Sequence, residues 1–306
     1  MINEMKNTAV IEGLLSEVDL KEEDMNIKGQ MTKVIRGDFK VHVEMPIERG
    51  GENVELEVPI RVFSMPTNRN GNPNAKYETF KNLITEGRSI AKVGMEEADA
   101  VRITACQVVM NEYWGRDDKF ISLPAVDGSW CFINKISRSD MQYKANAEFQ
   151  AIVDNMIMVT DQTGVETGEL LIKTINIGFG NRANLIPIKT ANPSYVSAIE
   201  STFKKGDVVF VAAKLNFSTK TETRYEEVAI GDPIEKTRTI RVNDVVISGI
   251  RSEDDFTYDA EDVKAALADR ATALEDMREK AKAKNAGAKN VDRPKTSQMN
   301  RSELGF

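Results

Sequence analysis

The residues best suited to chemistry lie in one polar segment of the first half of the chain, residues 111–120. Its aromatic and basic members are Tyr113, Trp114, Arg116, Lys119 and Phe120. An exposed aromatic ring can stack on an unpaired nucleobase at roughly 1–3 kcal/mol, and a neighbouring cation can neutralise a phosphate. Two interpretations stay open: the segment contacts a nucleic acid, or its rings fold back as a lid over a core.

Three further groups of residues combine aromatic and basic side chains. One lies in residues 218–238, predicted as a long loop, and the other two flank predicted strands. The members are Lys220, Arg224, Tyr225 and Arg238 in the loop, Arg36 with Phe39, and Phe179 with Arg182. Phenylalanine beside a strand is more often a core residue than a stacking platform, so both interpretations apply to Phe39 and Phe179.

Catalytic and cofactor chemistry finds little support in the residue types. His42, Cys106 and Cys131 are the only histidine and cysteines, too few for a Cys/His zinc site with four ligands. Residues 178–180 (Gly-Phe-Gly) lack the Lys-Ser/Thr that follows in a phosphate-binding loop. His42 alternates with apolar neighbours and is predicted to be exposed, whereas the cysteines are predicted to be buried. We therefore predict a non-catalytic protein without a metal ion or cofactor.

The composition is that of a globular protein with an acidic balance. At 306 residues the chain fits two domains, and 41% apolar residues exclude wholesale disorder. The net charge of −7 argues against nucleic-acid binding by charge alone but allows a local basic groove with stacking rings. No apolar run approaches the ~20 residues that span a bilayer, and the first residues lack a signal-peptide profile. These features predict a cytoplasmic protein without a membrane partner.

Apolar and polar residues alternate in both halves of the chain, which predicts two similar sets of β-strands. In the first half the pattern gives strands at 27–34, 39–45 and 54–62, a short helix at 76–84, and strands at 100–110 and 130–136. In the second half it gives strands at 147–159, 169–177 and 184–189, a helix at 193–203, and strands at 208–217 and 239–250. Residues 9–17 are predicted as a strand that is extra to this plan.

The shared order β-β-β-α-β-β predicts a mainly β chain with two tandem OB-like five-stranded barrels. A pair of small α+β sandwiches with the same order is the alternative. The predicted domains are residues 1–140 and 145–252, followed by a C-terminal α-helix at 253–284 and a disordered tail at 285–306. The helix has a narrow apolar stripe, so we expect it to pack on the second barrel or on another copy of the chain.

The segment Lys204–Val211 enters its strand through Lys-Gly-Asp-Val, and the chain ends in Phe306. Together with the two five-strand units, these features resemble the tandem OB-fold single-stranded DNA-binding proteins of bacteriophages and related replicons. The resemblance implies replication or recombination in the host cytoplasm, with single-stranded DNA as the partner and a tail that recruits proteins. Such tails are normally strongly acidic, whereas residues 285–306 hold more bases than acids. The alternative is a bacteriophage structural or assembly protein whose barrels bind proteins, and a homo-oligomer is compatible with either.

Overall fold

The computed structural model describes residues 4–288 except 28, 49, 69, 116, 162, 191 and 227–233. The first half contains β1 (Asn7–Ile27), β2 (Gln30–Pro46), β3 (Asn53–Ser64), α1 (Ala75–Glu86), α2 (Ile90–Val93), β4 (Ala100–Trp114), β5 (Phe120–Asp127) and β6 (Phe132–Lys135). The second half contains β7 (Lys144–Thr160), β8 (Glu166–Gly178), β9 (Arg182–Thr190), α3 (Pro193–Thr202), β10 (Val208–Asn216), β11 (Thr219–Glu226), β12 (Ile234–Arg241), β13 (Asp244–Ser252) and α4 (Ala260–Ala288).

Strands β1 to β5 close into the first barrel. The first three form an antiparallel meander, and β3 then pairs in parallel with β5, where Ile60 lies opposite Val126. Strand β4 pairs antiparallel with β5 on one edge and with β1 on the other, which closes the circle. This is the strand arrangement of an OB fold.

The second barrel repeats the arrangement with β7, β8, β9, β13 and β10. Its parallel pair is β9 with β13, where Lys189 lies opposite Val246, and β10 closes the barrel onto β7. In both barrels a helix connects the third strand to the fourth. The predicted fold class, a mainly β chain of OB-like barrels followed by a C-terminal helix, is confirmed.

Several strand assignments in the first half were wrong. The strand predicted as extra is β1, the first strand of the barrel. Residues 27–34, predicted as one strand, include the end of β1 and the start of β2, where Ile27 pairs with Gln30. Strand β2 continues through Gly37, whose φ is 131°. Only glycine fits there, because the Cβ of any other residue would lie 2.1 Å from the Asp19 carbonyl oxygen. The fifth barrel strand is β5, formed by residues predicted as loop, whereas residues 130–136 contribute only the short strand β6 beside β4.

Alternating side chains fill each barrel. In β2, Phe39 is fully buried, and Phe80 of α1 packs into the same core. The helix begins where the Asn74 side chain accepts a hydrogen bond from the backbone amide of Lys76 at 3.1 Å. Both cysteines are buried, and the hydrogen bond to Cys131 together with burial raises the pKa of the Cys106 thiol. A thiol held protonated inside a core is chemically inert.

The two barrels meet along their first strands, in a row that we call the seam: β4, β1, β7 and β10 side by side. Ala9 of β1 lies opposite Cys106 on one edge and Ala147 of β7 on the other, and Ala147 lies opposite Ala213. All four side chains are small and at most 2% exposed. The barrels are therefore joined by main-chain pairing over a closely packed row, and they share one hydrophobic core.

Glu12 is a fully buried carboxylate at the end of the seam. Arg102 donates to it from Nε at 2.7 Å and from Nη2 at 3.2 Å, and the backbone amide of Gln142 donates at 2.6 Å. Burial raises the pKa of Glu12, but the hydrogen bonds from Arg102 and Gln142 outweigh it and hold that pKa below its usual range. The carboxylate thus ties the connection between the barrels to β1 and β4.

Helix α4 runs from the second barrel to the first. Val263 and Ala266 are buried beside Ile177 of β8, and further along the helix Arg270 pairs with Glu112 of β4. The helix continues past its predicted end at residue 284 to Ala288, and the rest of the predicted tail lies outside the described residues. Among the described helices, none combines the length and apolar character needed to cross a membrane.

His42 is buried rather than exposed, which corrects the sequence-based expectation. Its Nδ1 lies 3.1 Å from a Glu57 carboxylate oxygen and its Nε2 lies 3.1 Å from one of Glu44, beside the ring of Tyr143. Both ring nitrogens can donate to these carboxylates only when the imidazole is protonated. Burial lowers the pKa of His42, but the hydrogen bonds to Glu44 and Glu57 outweigh it and raise that pKa above its usual value.

A proton titration of His42 should therefore be visible in solution. Because the folded pKa is raised, the contribution of protonated His42 to stability is complete below about pH 6.5 and is lost as the pH rises through the folded pKa. The single histidine gives one imidazole signal, and its NMR titration midpoint is expected above 6.5. Glu57→Gln should lower the midpoint, and a parent midpoint at or below 6.5 would contradict this account.

Candidate nucleic-acid interface

The outer face of the first barrel carries a groove made of two adjoining cavities. The first, of about 600 Å³, lies over β1, β2 and β3. Ile60 and Val62 of β3 point into the core, so period-two alternation places Arg61 and Phe63 on the outer face. Phe63 is 42% exposed. The strand thus presents an arginine and an aromatic ring side by side to solvent.

The second cavity, of about 730 Å³, shares Asp38 and Arg61 with the first. Its far wall comes from the β4–β5 hairpin, with Tyr113, and from the second barrel, with Arg241. The backbone amide of Glu57 in β3 donates to the Phe217 carbonyl at 3.0 Å, which fixes the second barrel against this face. We call the two cavities together the groove.

The charge of the groove is mixed. Its basic side chains are Lys21, Arg36, Lys40, Arg61 and Arg241, and its acidic side chains are Glu17, Asp19, Glu23, Asp38, Glu57 and Asp127. Several of them pair with each other, including Arg36 with Glu23 and Lys40 with Glu17. Such exposed pairs are worth at most about 1 kcal/mol each, so a polyanion can exchange them for phosphate contacts.

Arg61 links the two cavities. Its Nη1 donates to the Asn111 side-chain oxygen at 2.5 Å, which ties the guanidinium to β4 two residues before Tyr113. Tyr113 is 44% exposed. Phe63 therefore lines the first cavity, Tyr113 lines the second, and Arg61 lines both.

A second group of exposed rings follows β5. Trp130 and Phe132 are 66% and 58% exposed, and the Ser129 hydroxyl next to them accepts a hydrogen bond from the Phe63 backbone amide at 3.1 Å. The Lys76 ammonium lies 3.1 Å from the centre of the Phe132 ring. Exposed aromatic residues therefore continue beyond the end of the groove at which Phe63 lies.

The sequence-predicted residues of the β4–β5 hairpin divide between its two faces. Tyr113 faces the groove, whereas Trp114 on the other face is half-buried beneath α4 and beside Phe120. Lys119 is exposed in the turn, and Arg116 lies outside the described residues. The predicted segment is therefore a strand hairpin rather than a loop, and one of its rings is covered.

Phe39 cannot be a stacking platform in this structure, which corrects the prediction. Its side chain is 0% exposed inside the first barrel because β2 turns alternate residues inward at this point. Its predicted companion, Arg36, lies on the outer face and lines the groove. The pair flanking Gly37 thus contributes its cation to the groove and its ring to the core.

The predicted residues of the second barrel lie in two places. Phe179, 64% exposed, and Arg182 are at the β8–β9 turn and do not line the groove. Lys220, Arg224, Tyr225 and Arg238 belong to β11 and β12, a two-stranded ribbon rather than a loop. Thr219 and Arg241 form the first pair of the ribbon and also line the groove. The ribbon therefore starts at the groove.

Sequence reasoning missed the central groove residues Arg61, Phe63, Lys40 and Arg241. The signal for Arg61 and Phe63 was present, because both alternate with the inward-facing Ile60 and Val62. Lys40 likewise alternates with Phe39 and Val41. Arg241 carried no such signal, since its place depends on packing between the barrels. Among the described residues, no group of His, Cys, Asp and Glu is placed to hold a metal ion.

Comparison with known proteins gives structural likenesses and one family. The wild-type single-stranded DNA binding protein from Thermus aquaticus matches with 10% identity and a TM-score of 0.45, over 82% of this chain and 94% of that chain. A deletion mutant of that protein matches with the same identity and TM-score, over 84% and 97%. A search of curated protein sequences gave no match. The YorF family profile matches residues 6–280, and the chain belongs to the YorF family.

Proposed function

We propose that this chain is a non-catalytic single-stranded DNA-binding protein that serves replication or recombination in a bacteriophage or related replicon. The observation that carries the proposal is the groove on the outer face of an OB barrel, where exposed Phe63 lines one cavity, exposed Tyr113 lines the other, and Arg61 lines both. Its place of action is the host cytoplasm. Recruitment of replication or recombination proteins through the C-terminal tail predicted at residues 285–306, and a homo-oligomeric state, belong to the same proposal.

The binding mode follows from the spacing of these side chains. Arg61 and Phe63 are two residues apart on one strand, so they leave it about 7 Å apart. An unpaired base stacks on Phe63, the adjoining phosphate meets Arg61, and a further base stacks on Tyr113. Arg36 and Lys40 then exchange their carboxylate partners for phosphates. Stacking on ring faces is tolerant of sequence, so the proposal predicts little base preference.

Two groove substitutions should have different signatures in oligonucleotide binding. Tyr113→Ala removes a stacking face, so affinity should fall by about 1–3 kcal/mol with an unchanged salt dependence. Arg61→Gln removes a phosphate contact, so the slope of log affinity against log salt should flatten by about 0.7. The measurement is fluorescence anisotropy with a labelled single-stranded oligonucleotide over a series of salt concentrations.

Arg88→Gln is the matched control. Arg88 is 51% exposed, pairs with Glu97 and does not line the groove, so its loss should leave the salt slope as in the parent. Folded Tyr113→Ala and Arg61→Gln proteins that bind like the parent at every salt concentration would remove the groove from the site. A duplex of the same sequence should bind more weakly, because its bases are not available for stacking.

The second candidate is a bacteriophage structural or assembly protein whose barrels bind proteins. The acidic side chains of the groove favour it, because Asp19, Glu23, Asp38 and Asp127 line the first cavity together with Arg61. A mixed-charge groove with exposed rings also suits a protein surface. A parent protein that fails to bind single-stranded oligonucleotides at low salt would leave this candidate in place of the first.

A further inference from the structure

The guanidinium of Arg278 lies over the ring of Trp114, one of the residues predicted from the sequence to stack on a base. Its central carbon is 4.7 Å from the centre of the Trp114 ring. Asp118, in the turn of the β4–β5 hairpin, holds the guanidinium there by accepting hydrogen bonds from Nε at 3.1 Å and from Nη2 at 2.9 Å. A guanidinium is planar and cationic, and it stacks on aromatic faces as a nucleobase does.

Helix α4 divides into an anchor and a grip. The anchor is the first two turns, where Val263 and Ala266 are buried against the second barrel. The grip is residues 270–278, which contact the hairpin through polar groups. Arg270 pairs with Glu112, and the Leu274 carbonyl accepts a hydrogen bond from the Trp114 ring nitrogen at 3.3 Å. Met277, in the same part of the helix, remains 38% exposed.

The ion pair at the end of the grip is open to solvent. The side chains of Arg278 and Asp118 are 33% and 44% exposed. Exposed ion pairs contribute little and weaken with salt, whereas the apolar anchor does not depend on charge. The Arg278 side chain can therefore leave the Trp114 ring, while the pair of Arg270 with Glu112, whose side chains are only 18% and 13% exposed, keeps the helix on the hairpin.

We propose that the Trp114 face is a second base-stacking site, that Arg278 occupies it in place of a base, and that a bound single strand displaces the Arg278 side chain. The inference rests on the proposed function and extends it to the other face of the hairpin. Tyr113 and Trp114 are consecutive strand residues on opposite faces, so a strand reaches Trp114 by passing around the hairpin turn. Lys119 is exposed in that turn and meets the backbone of the passing strand.

The test compares two substitutions that remove one positive charge each from α4. Arg278→Gln removes the cation that lies over Trp114, whereas Lys282→Gln removes a cation whose ion pair, at 3.1 Å, is with Glu279 of the same helix. Trp130→Phe serves as the parent background, so that Trp114 is the only tryptophan. Oligonucleotide affinity and Trp114 fluorescence, with and without iodide as a quencher, are measured for all three proteins.

Loss of a cation alone weakens binding to a polyanion. A gain in oligonucleotide affinity on loss of Arg278 would therefore point to its displacement by a base and not to a simple change of charge. Arg278→Gln should raise oligonucleotide affinity about five-fold or more, the low end of typical coupling between sites, while Lys282→Gln should leave it unchanged or slightly weaker. Without oligonucleotide, iodide should quench Trp114 more strongly in Arg278→Gln. With oligonucleotide, Trp114 fluorescence should fall in the parent and be protected from iodide.

Failure of this inference differs from failure of the proposed function. Two results would refute the stacking site on Trp114 when the parent binds oligonucleotide: Arg278→Gln binds no tighter than Lys282→Gln, or Trp114 fluorescence does not change when oligonucleotide is added. The proposal that the groove binds DNA would still stand. If the parent binds no oligonucleotide at low salt, the proposed function falls and this inference falls with it. Circular dichroism of both variants checks that α4 and the barrels remain folded.

Discussion

Replacing Phe39 by Ala is expected to lower the free energy of unfolding by about 3–5 kcal/mol. The side chain is fully buried in the first barrel, so its loss removes apolar contacts and leaves a cavity that the closed sheet cannot collapse around. Urea unfolding of the variant and the parent measures the difference. This is a large fraction of the stability of an ordinary protein.

Phe63→Ala is the matched control for Phe39→Ala. Phe63 lies on the adjacent strand β3 but is 42% exposed on the outer face, so its loss should change stability by less than about 1 kcal/mol while weakening oligonucleotide binding. The two phenylalanines should therefore separate stability from binding. A Phe39→Ala protein as stable as the parent but defective in binding would restore Phe39 as a platform.

Glu12→Ala is expected to lower the free energy of unfolding by about 2–3 kcal/mol. The substitution leaves the backbone amide of Gln142 without its acceptor and breaks the two hydrogen bonds from Arg102 at the end of the seam. Because Arg102 reaches solvent, it regains water, which keeps the loss below that of a fully buried pair. Glu17→Ala on the same strand, with an exposed carboxylate, should cost less than about 1 kcal/mol.

The loss of folding stability at acid pH should depend in part on the protonation of Glu12. Its folded pKa is lowered, so its contribution is present above the unfolded value of about 4.3 and is lost as the pH falls through the folded pKa. Glu12→Gln should therefore show a shallower loss of stability than the parent below about pH 4. Equal slopes for the two proteins would mean that folding does not lower the pKa of Glu12.

The order of elements could be predicted from the sequence because local periodicity carries it. Alternation in residues 39–62 and 169–189 gives strands, and the apolar spacing of 76–84 gives a helix, wherever those segments end up. The position of each strand in the barrel was harder to predict than the order of elements. Gly37 reads as a break between strands, yet its positive φ lets β2 continue, and only the pairing partner distinguishes these outcomes.

The candidate site depended more heavily on contacts between distant residues. Arg36 was predicted from its place beside a strand and Tyr113 from the aromatic and basic residues around it. The groove itself exists because β3, the hairpin and the second barrel meet at Arg61. The cover over Trp114 comes from Leu274, 160 residues away in the chain. Local pattern cannot report such a contact, so an exposed aromatic segment and a covered one look the same in sequence.

The pairing of Ala9 with Ala147 is consistent with an origin of the two barrels by gene duplication. Ala9 lies five residues before β1 begins to pair with β2, and Ala147 lies five residues before β7 begins to pair with β8, so the two are equivalent positions. A single-barrel ancestor would expose this strand edge, and two copies could join it antiparallel about a two-fold axis. Fusing the copies makes that dimer independent of concentration. After fusion the two halves no longer need identical pairing edges. The first half could then acquire most of the groove, and the second half could acquire the ribbon.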